Sequence, residues 1–295
     1  LDVTPRVEAR ATYYSESLAE AGGAYDGGDL LRTYARGTLE LSGPRLLRRF
    51  KGGSKHVIEP FVNYTYISPD ADSSRAPLFD EVDQVPLDVS LVRYGFRNRV
   101  YAKKGRLVMD SELYQDQSFN SDLSVSGGRS SSYSPVFFVL RFWPSRTWSG
   151  ELRLRYRILT DRVDSQSFSL QYKPRKGESE DFVRVTYLKT GQTTVSAISD
   201  YTGGPASEEI RLAGSFRVWK ERLTITPILE RDLKNDIWRN RRLILWYHGS
   251  CYAVGIEAGK RTIGDFRDTQ YRFLIRLKGA GTVVDFYGGT GTYVQ

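Results

Sequence analysis

The residue types that carry most enzyme chemistry are scarce in this chain. Its 295 residues include two histidines, His56 and His248, and one cysteine, Cys251. There is no HExxH and no Cys/His spacing suited to zinc. Neither histidine has an obvious serine partner for a nucleophilic pair. Asp110 and Glu112 have the carboxylates for acid–base work, but nothing in the sequence marks them as more than ordinary charges. The loop carboxylates Asp70, Asp72, Asp80, Glu81 and Asp83 lack the spacing of a calcium loop and read as a solvated segment. The glycines of FYGGTGT at 286–292 do not sit between a strand and a helix, so they are no phosphate loop. No catalytic residue, metal or cofactor is expected.

Arginine at alternate positions is abundant instead. The stretch 151–158, ELRLRYRI, places Arg153, Arg155 and Arg157 two apart, and further arginines recur at Arg211, Arg217, Arg272 and Arg276. A guanidinium is a planar fork that binds phosphate through two parallel hydrogen bonds, so such rows could steer a phosphorylated ligand. They could equally be a charged lining that pairs with itself, with Asp110, Glu112, Glu230 and Glu257 as counter-charges. The sequence leaves both readings open. The net charge is +8 and the isoelectric point about 9.4, which suits nucleic acid, anionic lipid or phosphorylated glycolipid. The cations are spread through segment after segment, which argues for a lined surface and against a nucleic-acid tail.

The elements that position these residues must be strands. In 151–158 the residues Leu152, Leu154, Tyr156 and Ile158 fall on one face and the charged residues on the other, the period-two signature of a strand. The same rhythm predicts about fourteen strands, at 3–14, 30–42, 55–67, 90–103, 106–119, 135–143, 148–160, 164–174, 181–190, 207–219, 222–233, 237–248, 250–261 and 266–277. No run of 18 apolar residues exists, so a spanning helix is excluded, whereas tilted strands of this length can cross a bilayer. The expected fold is an all-β, antiparallel transmembrane β-barrel. Leu152, Leu154, Tyr156, Phe168, Leu170, Tyr172, Ile210, Leu212, Phe216, Val218, Tyr271, Phe273, Ile275 and Leu277 would face lipid. The arginines would face the lumen, because a charge at the bilayer midplane costs roughly 2–4 kcal/mol.

The connections alternate in length. Tight turns at 103–106, 144–147, 176–178, 220–221 and 249 face longer loops at 15–29, 68–89, 120–134 and 191–206, the asymmetry of short periplasmic turns and long external loops. The link 43–54, with Arg45, Arg48, Arg49 and Lys51, belongs on the short-turn side. Trp143, Trp148, Trp219 and Trp246 lie near short turns, where an interfacial girdle would be. Leu1 already lies within strand-like sequence, and the chain does not begin with a basic segment followed by an apolar core. Any signal peptide is therefore expected to have been removed or to lie upstream, and the chain to be cut from something longer.

Three stretches resemble the outer-membrane lipopolysaccharide-assembly protein family, LptD (also called OstA). They are SKHVIEPFVNYTYISP at 54–69, PLFDEVDQVPLDVSLVRYGFRNRVYAKK at 77–104, and CYAVGIEAGKRTIGDFRDTQYRFLIRLKGAGT at 251–282. The resemblance implies the C-terminal portion of a barrel of about 26 strands, an even count as in bacterial barrels, with 1–295 as one barrel region and the family's periplasmic jelly-roll domain absent. It implies insertion of lipopolysaccharide into the outer leaflet through a laterally opening seam, with 266–277 as the last strand and Tyr271, Phe273, Ile275 and Leu277 on it. It also implies a plug lipoprotein inside the barrel, a periplasmic bridge protein, surrounding outer-membrane lipid, and no nucleic acid. Cys251 opens what reads as the penultimate strand. In the family, one or two cysteines at this point are bonded to the N-terminal domain; Ser250-Cys251 allows one such disulfide. A free thiol acting as a small hydrophobe is the alternative.

Rival readings are a self-contained 14-stranded passive pore or apolar-solute transporter, a barrel hydrolase acting on lipid, and a soluble β-rich binding module. The last requires folding without detergent, which the apolar stripes oppose.

Overall fold

Period-two alternation over 10–13 residues builds nearly all of the protein. The computed structural model describes residues 1–19, 25, 27–68, 75–76, 88–120, 123–125, 129–174, 181–191, 206–219, 222–263, 266–279 and 281–293. Its strands are β1 (Asp2–Tyr14), β2 (Leu30–Ser42), β3 (Leu46–Arg49), β4 (Lys55–Ile67), β5 (Val89–Tyr101), β6 (Leu107–Ser118), β7 (Leu123–Val125), β8 (Arg129–Ser131), β9 (Val136–Phe142), β10 (Trp148–Arg157), β11 (Arg162–Tyr172), β12 (Phe182–Thr190), β13 (Ser207–Val218), β14 (Leu223–Asp232), β15 (Ile237–His248), β16 (Tyr252–Ile263), β17 (Phe266–Leu277) and β18 (Gly281–Tyr293). Each of the fourteen expected strands is present, with ends within three residues of the expected bounds. Among the described residues no helix is long and apolar enough to cross a membrane.

Two compact units divide the chain, one built mainly on Leu1–Phe138 and the other on Val139–Leu154, Asp164–Gly191 and Pro205–Gln295. In the first, β1, β2, β4, β5 and β6 pair antiparallel in that order, and β3 adds to β4. Opposed residues share a face, so the register carries one face across the ladder. Val3, Val7 and Tyr13 continue through Leu31 and Leu39 to Val62, Tyr64 and Phe96, and all of these are exposed. The other face carries the charges, and toward the 68–89 end it closes over a buried cluster of Tyr34, Ile67, Val89 and Leu91.

In the second unit β11 to β18 pair in chain order, every neighbour antiparallel. Phe168 lies opposite Tyr187, Ile210 opposite Tyr187 and Arg231, and Phe273 opposite Ile256 and Phe286. Phe168, Ile210, Phe216, Val218, Ile256, Tyr271, Phe273 and Leu277 are exposed on this apolar face. So large a bare apolar surface needs an apolar solvent.

Three sequence expectations are corrected. Strand 266–277 is not the last, because β18 pairs along its length and gives β17 a partner on both edges. The stretch 286–292, where the sequence marks no strand, sits in extended backbone, and the alternation there is hidden because a glycine carries no side chain to mark a face. Cys251 accordingly precedes the third strand from the end of those described. Finally, Trp246 and Trp143 are not girdle residues. Trp246 shares its face with Thr224 and Gly255, and Trp143 lines a polar cavity. Trp148 and Trp219 remain exposed, beside Tyr172 at 4.8 Å and Tyr247 at 6.2 Å. The turns at 176–178 and 220–221 and the carboxylates Asp70, Asp72, Asp80, Glu81 and Asp83 lie outside the described residues.

Close packing on the charged face depends on glycine. A Cβ at Gly95 would stand 2.1 Å from the Leu113 carbonyl oxygen and 2.9 Å from Tyr114. Gly95→Ala is therefore expected to destabilise the fold by about 1–3 kcal/mol, the range for overpacking. Gly37, in β2 with nothing within 4 Å of the added carbon, supplies the control. Guanidinium unfolding in detergent should separate the two variants; equal midpoints would show that the β5–β6 contact yields freely.

Candidate functional site

The charged face is built rung by rung from the strand register. In the first unit Arg93, Arg97 and Arg99 of β5 stand opposite Asp116, Glu112 and Asp110 of β6. Arg93 grips Asp116 with two hydrogen bonds, 2.7 and 3.1 Å, and its guanidinium lies 4.5 Å from the Tyr114 ring centroid. Arg97 reaches Glu112 at 3.7 Å and stacks 4.4 Å over Phe61. Arg99 lies 3.8 Å from both Asp110 and Glu59. Arg45, from the link after β2, joins the buried Glu59 at 2.9 Å to Asp2 at 3.0 Å. Asp110 and Glu112 are thus counter-charges. The three β5 arginines are missing from the sequence-derived lining; their two- and four-residue spacing was a usable signal, blurred by Gly95 and Asn98.

In the second unit a cavity of about 400 Å³ opens on the charged face. Its walls are cationic and hydroxyl-rich. Arg141 donates to Glu151 at 3.1 Å and Arg153 donates to the other oxygen at 2.5 Å. Arg184 donates to Gln171 at 2.8 Å. Ser149, Ser167, Ser169 and Thr186 add hydroxyls, and Trp143 adds a ring. Three guanidinium groups against one carboxylate leave two positive charges among the lining side chains. Such a mixture suits a phosphorylated, hydroxyl-bearing ligand, since guanidinium forks match phosphate and serine rows match sugar hydroxyls.

The remaining sequence-derived cations are distributed along the same kind of face. Arg211 meets Glu230 at 2.8 Å, and Glu257 is met by Arg242 at 3.3 Å. Arg272 pairs with Asp285 of β18, and Arg276 stacks 4.8 Å over Trp246. The main-chain N–H of Arg217 donates to Asp181 at 2.8 Å. Arg155 and Arg157 are buried. The structure therefore brings Arg153 into the cavity and leaves the other named arginines along the strands. Tyr271, Phe273, Ile275 and Leu277 share the opposite, apolar face of β17. Cys251 is an exposed free thiol in the turn before β16, and its carbonyl accepts from Lys278 N–H at 3.0 Å.

One carboxylate organises the short β14–β15 turn. Asp232, only 1% exposed, accepts from the main-chain N–H groups of Lys234 and Asn235, from the Asn235 amide, and from Arg239 at 2.7 Å, which also reaches Glu209 at 2.9 Å. Asp236, by contrast, is 78% exposed where it meets Arg231.

A comparison with protein families matches residues 1–221 to the family described as LptD, LPS transport system D. The stretches 54–69 and 77–104 fall within the match, and 251–282 lies beyond it. No curated protein matches the chain. Among solved structures, a triple mutant of the Rhodopseudomonas blastica porin aligns at 9% identity over 98% of this chain and 95% of the porin, with a TM-score of 0.36. A second variant of that porin aligns with the same identity, coverage and score.

Asp232→Ala is expected to lower stability by about 2–3 kcal/mol, the loss of charged hydrogen bonds at a buried site. Asp236→Ala should change it by less than about 1 kcal/mol, as for an exposed pair. Thermal unfolding followed by circular dichroism distinguishes them. Similar losses at the two positions would mean that the turn does not depend on the buried carboxylate.

Proposed function

This chain belongs to the LptD family, LPS transport system D, and we propose that it inserts lipopolysaccharide into the outer leaflet through a laterally opening barrel wall. It is an all-β, antiparallel β-barrel chain of the bacterial outer membrane, with a role in LPS transport. The observation that carries the finer reading is the cavity of Arg141, Arg153 and Arg184 around Glu151, a cationic, hydroxyl-lined recess on the face opposite the apolar one. Phosphorylated sugars moving through the lumen would exchange hydrogen bonds with these forks, while Glu151 holds two of them in place.

The work is binding and gating, with no catalytic step. A plug lipoprotein would occupy the lumen, and a periplasmic bridge protein would deliver glycolipid. The seam would form along β17, with Tyr271, Phe273, Ile275 and Leu277 facing the departing acyl chains. β18 would have to yield there, giving up the Arg272–Asp285 ion pair; Gly288 and Gly289 bring no side chains to that part of the pairing. Cys251, at a short-turn end, would bond to a periplasmic domain. A passive pore is the second reading, favoured only by the continuous pairing of strands.

The test replaces Arg141, Arg153 and Arg184 with glutamate in the full-length protein of a strain depleted of the native copy. New glycolipid reaching the cell surface should fall at least about tenfold, the scale of losing one charged phosphate contact of 1.4 kcal/mol or more. Unchanged surface delivery by a folded variant would make the cavity structural. Mass spectrometry of the exported protein checks the thiol: a reduced Cys251 removes the disulfide from the scheme.

A further inference from the structure

The apolar face of the second unit differs at its two ends. At the short-turn end it carries, among the described residues, rings and no charges: Trp148 with Tyr172, Trp219 with Tyr247, and Tyr252. At the other end, that of the 191–206 loop and the 233–236 turn, the same face carries cations on four successive strands. They are Arg231 on β14, Arg241 on β15, Lys260 on β16 and Arg267 on β17.

The register places Arg241 directly opposite Lys260, and Arg267 opposite Thr262 on the same face. Like charges opposed on neighbouring strands repel at short range and destabilise a sheet. Across the rungs the neighbours of this pair are Leu229 and Thr269; Glu257 and Asp268 belong to the other face. Among the described residues, Arg241, Lys260 and Arg267 make no ion pair, whereas Arg231 is paired with Asp236. Trp238 lies between Arg231 and Arg241, with guanidinium carbons 5.5 and 5.9 Å from its ring. Below the cations the face becomes purely apolar, through Leu243, Leu245, Ala258, Ile256, Phe273 and Ile275.

An opposed cation pair without a carboxylate, above an apolar stripe and beside an interfacial tryptophan, fits an amphiphile with a multiply anionic head and several acyl chains. We propose that this outer wall is a binding site for a phosphorylated glycolipid of the surrounding leaflet, its phosphates held by Arg241 and Lys260 with Arg267 at the flank. The site is separate from the luminal cavity, because the strand pleat puts the two on opposite faces. It rests on the outer-membrane reading, with the 191–206 end facing outward. It gives the like-charge pair its missing counter-ion and anchors the wall next to β17 in its leaflet.

The test uses the full-length protein in nanodiscs, with native mass spectrometry counting lipid retained on removal of the bilayer. The probes are bisphosphorylated lipid A, its dephosphorylated form, and phosphatidylglycerol. The native protein should retain bisphosphorylated lipid A at least about fivefold better than either of the others, and R241Q/K260Q should abolish that preference, as for loss of paired charge-assisted phosphate contacts. R241K should keep it. Equal retention of dephosphorylated lipid A would overturn the proposal, as would equal retention of phosphatidylglycerol or undiminished retention by the double variant. Should the double variant not fold, R241Q and K260Q singly must each lower the preference, and failure of both to do so overturns the proposal equally. Surface delivery measured on the same variants separates this site from transport. Lost retention with normal delivery supports the outer-wall site alone, whereas normal delivery in the depleted strain without any added copy would refute the transport reading and leave the retention result standing.

Discussion

Backbone pairing is the constraint on which the rest depends. A strand in a bilayer must give every N–H and C=O a partner, because hydrocarbon offers none and each unsatisfied group costs several kcal/mol. The antiparallel registers of β11 to β18 meet that demand strand by strand. Once the ladder is fixed, the pleat decides where side chains go, and one slip of register would exchange the faces. Arg211 faces Glu230, and Leu212 faces Leu229, because a single register serves both.

That exchange would be severe, because the two faces have such different chemistry. One presents Phe168, Ile210, Phe216 and Phe273 bare, and the other presents ion pairs between neighbouring strands. The pairs share charges: Glu59 meets Arg45 and Arg99, Glu151 meets Arg141 and Arg153, and Arg239 meets Asp232 and Glu209. Sharing lets one carboxylate position two forks, so the cavity on β9 to β12 can be cationic and ordered together. Glycine supports the same face by letting rings lie flat. Trp246 covers Gly255, whose added Cβ would meet its ring at 2.9 Å, and Arg276 covers Trp246 in turn.

Transport of a phosphorylated amphiphile makes opposite demands on a wall, polar on one side and apolar on the other, and the pleat meets them with a single strand. On β17, Arg272 and Arg276 point one way while Tyr271, Phe273, Ile275 and Leu277 point the other. The structure adds β18 to this strand, so any seam along β17 competes with a full antiparallel pairing. Gly288 and Gly289 bring no side chains to that pairing, whereas Asp285 adds an ion pair to Arg272.

By itself the sequence determined the fourteen strands, their bounds, the two faces and the resemblance to a transport family. All of these follow from period two and local motif order, which survive without knowing neighbours. It also identified Asp110, Glu112, Glu230 and Glu257 as counter-charges. β3, β7, β8 and β18 were not legible: the first three are too short to establish a rhythm, and β18 has glycine where a face would be marked. Nor could the sequence distinguish Trp148 and Trp219, bare on the apolar face, from Trp246 and Trp143, turned to the polar one. Only the tertiary structure decided which arginine meets which carboxylate, that Arg141, Arg153 and Arg184 share one cavity, and that Arg241 stands opposite Lys260. Those facts depend on register between strands, and register is a relation between segments that no single segment encodes.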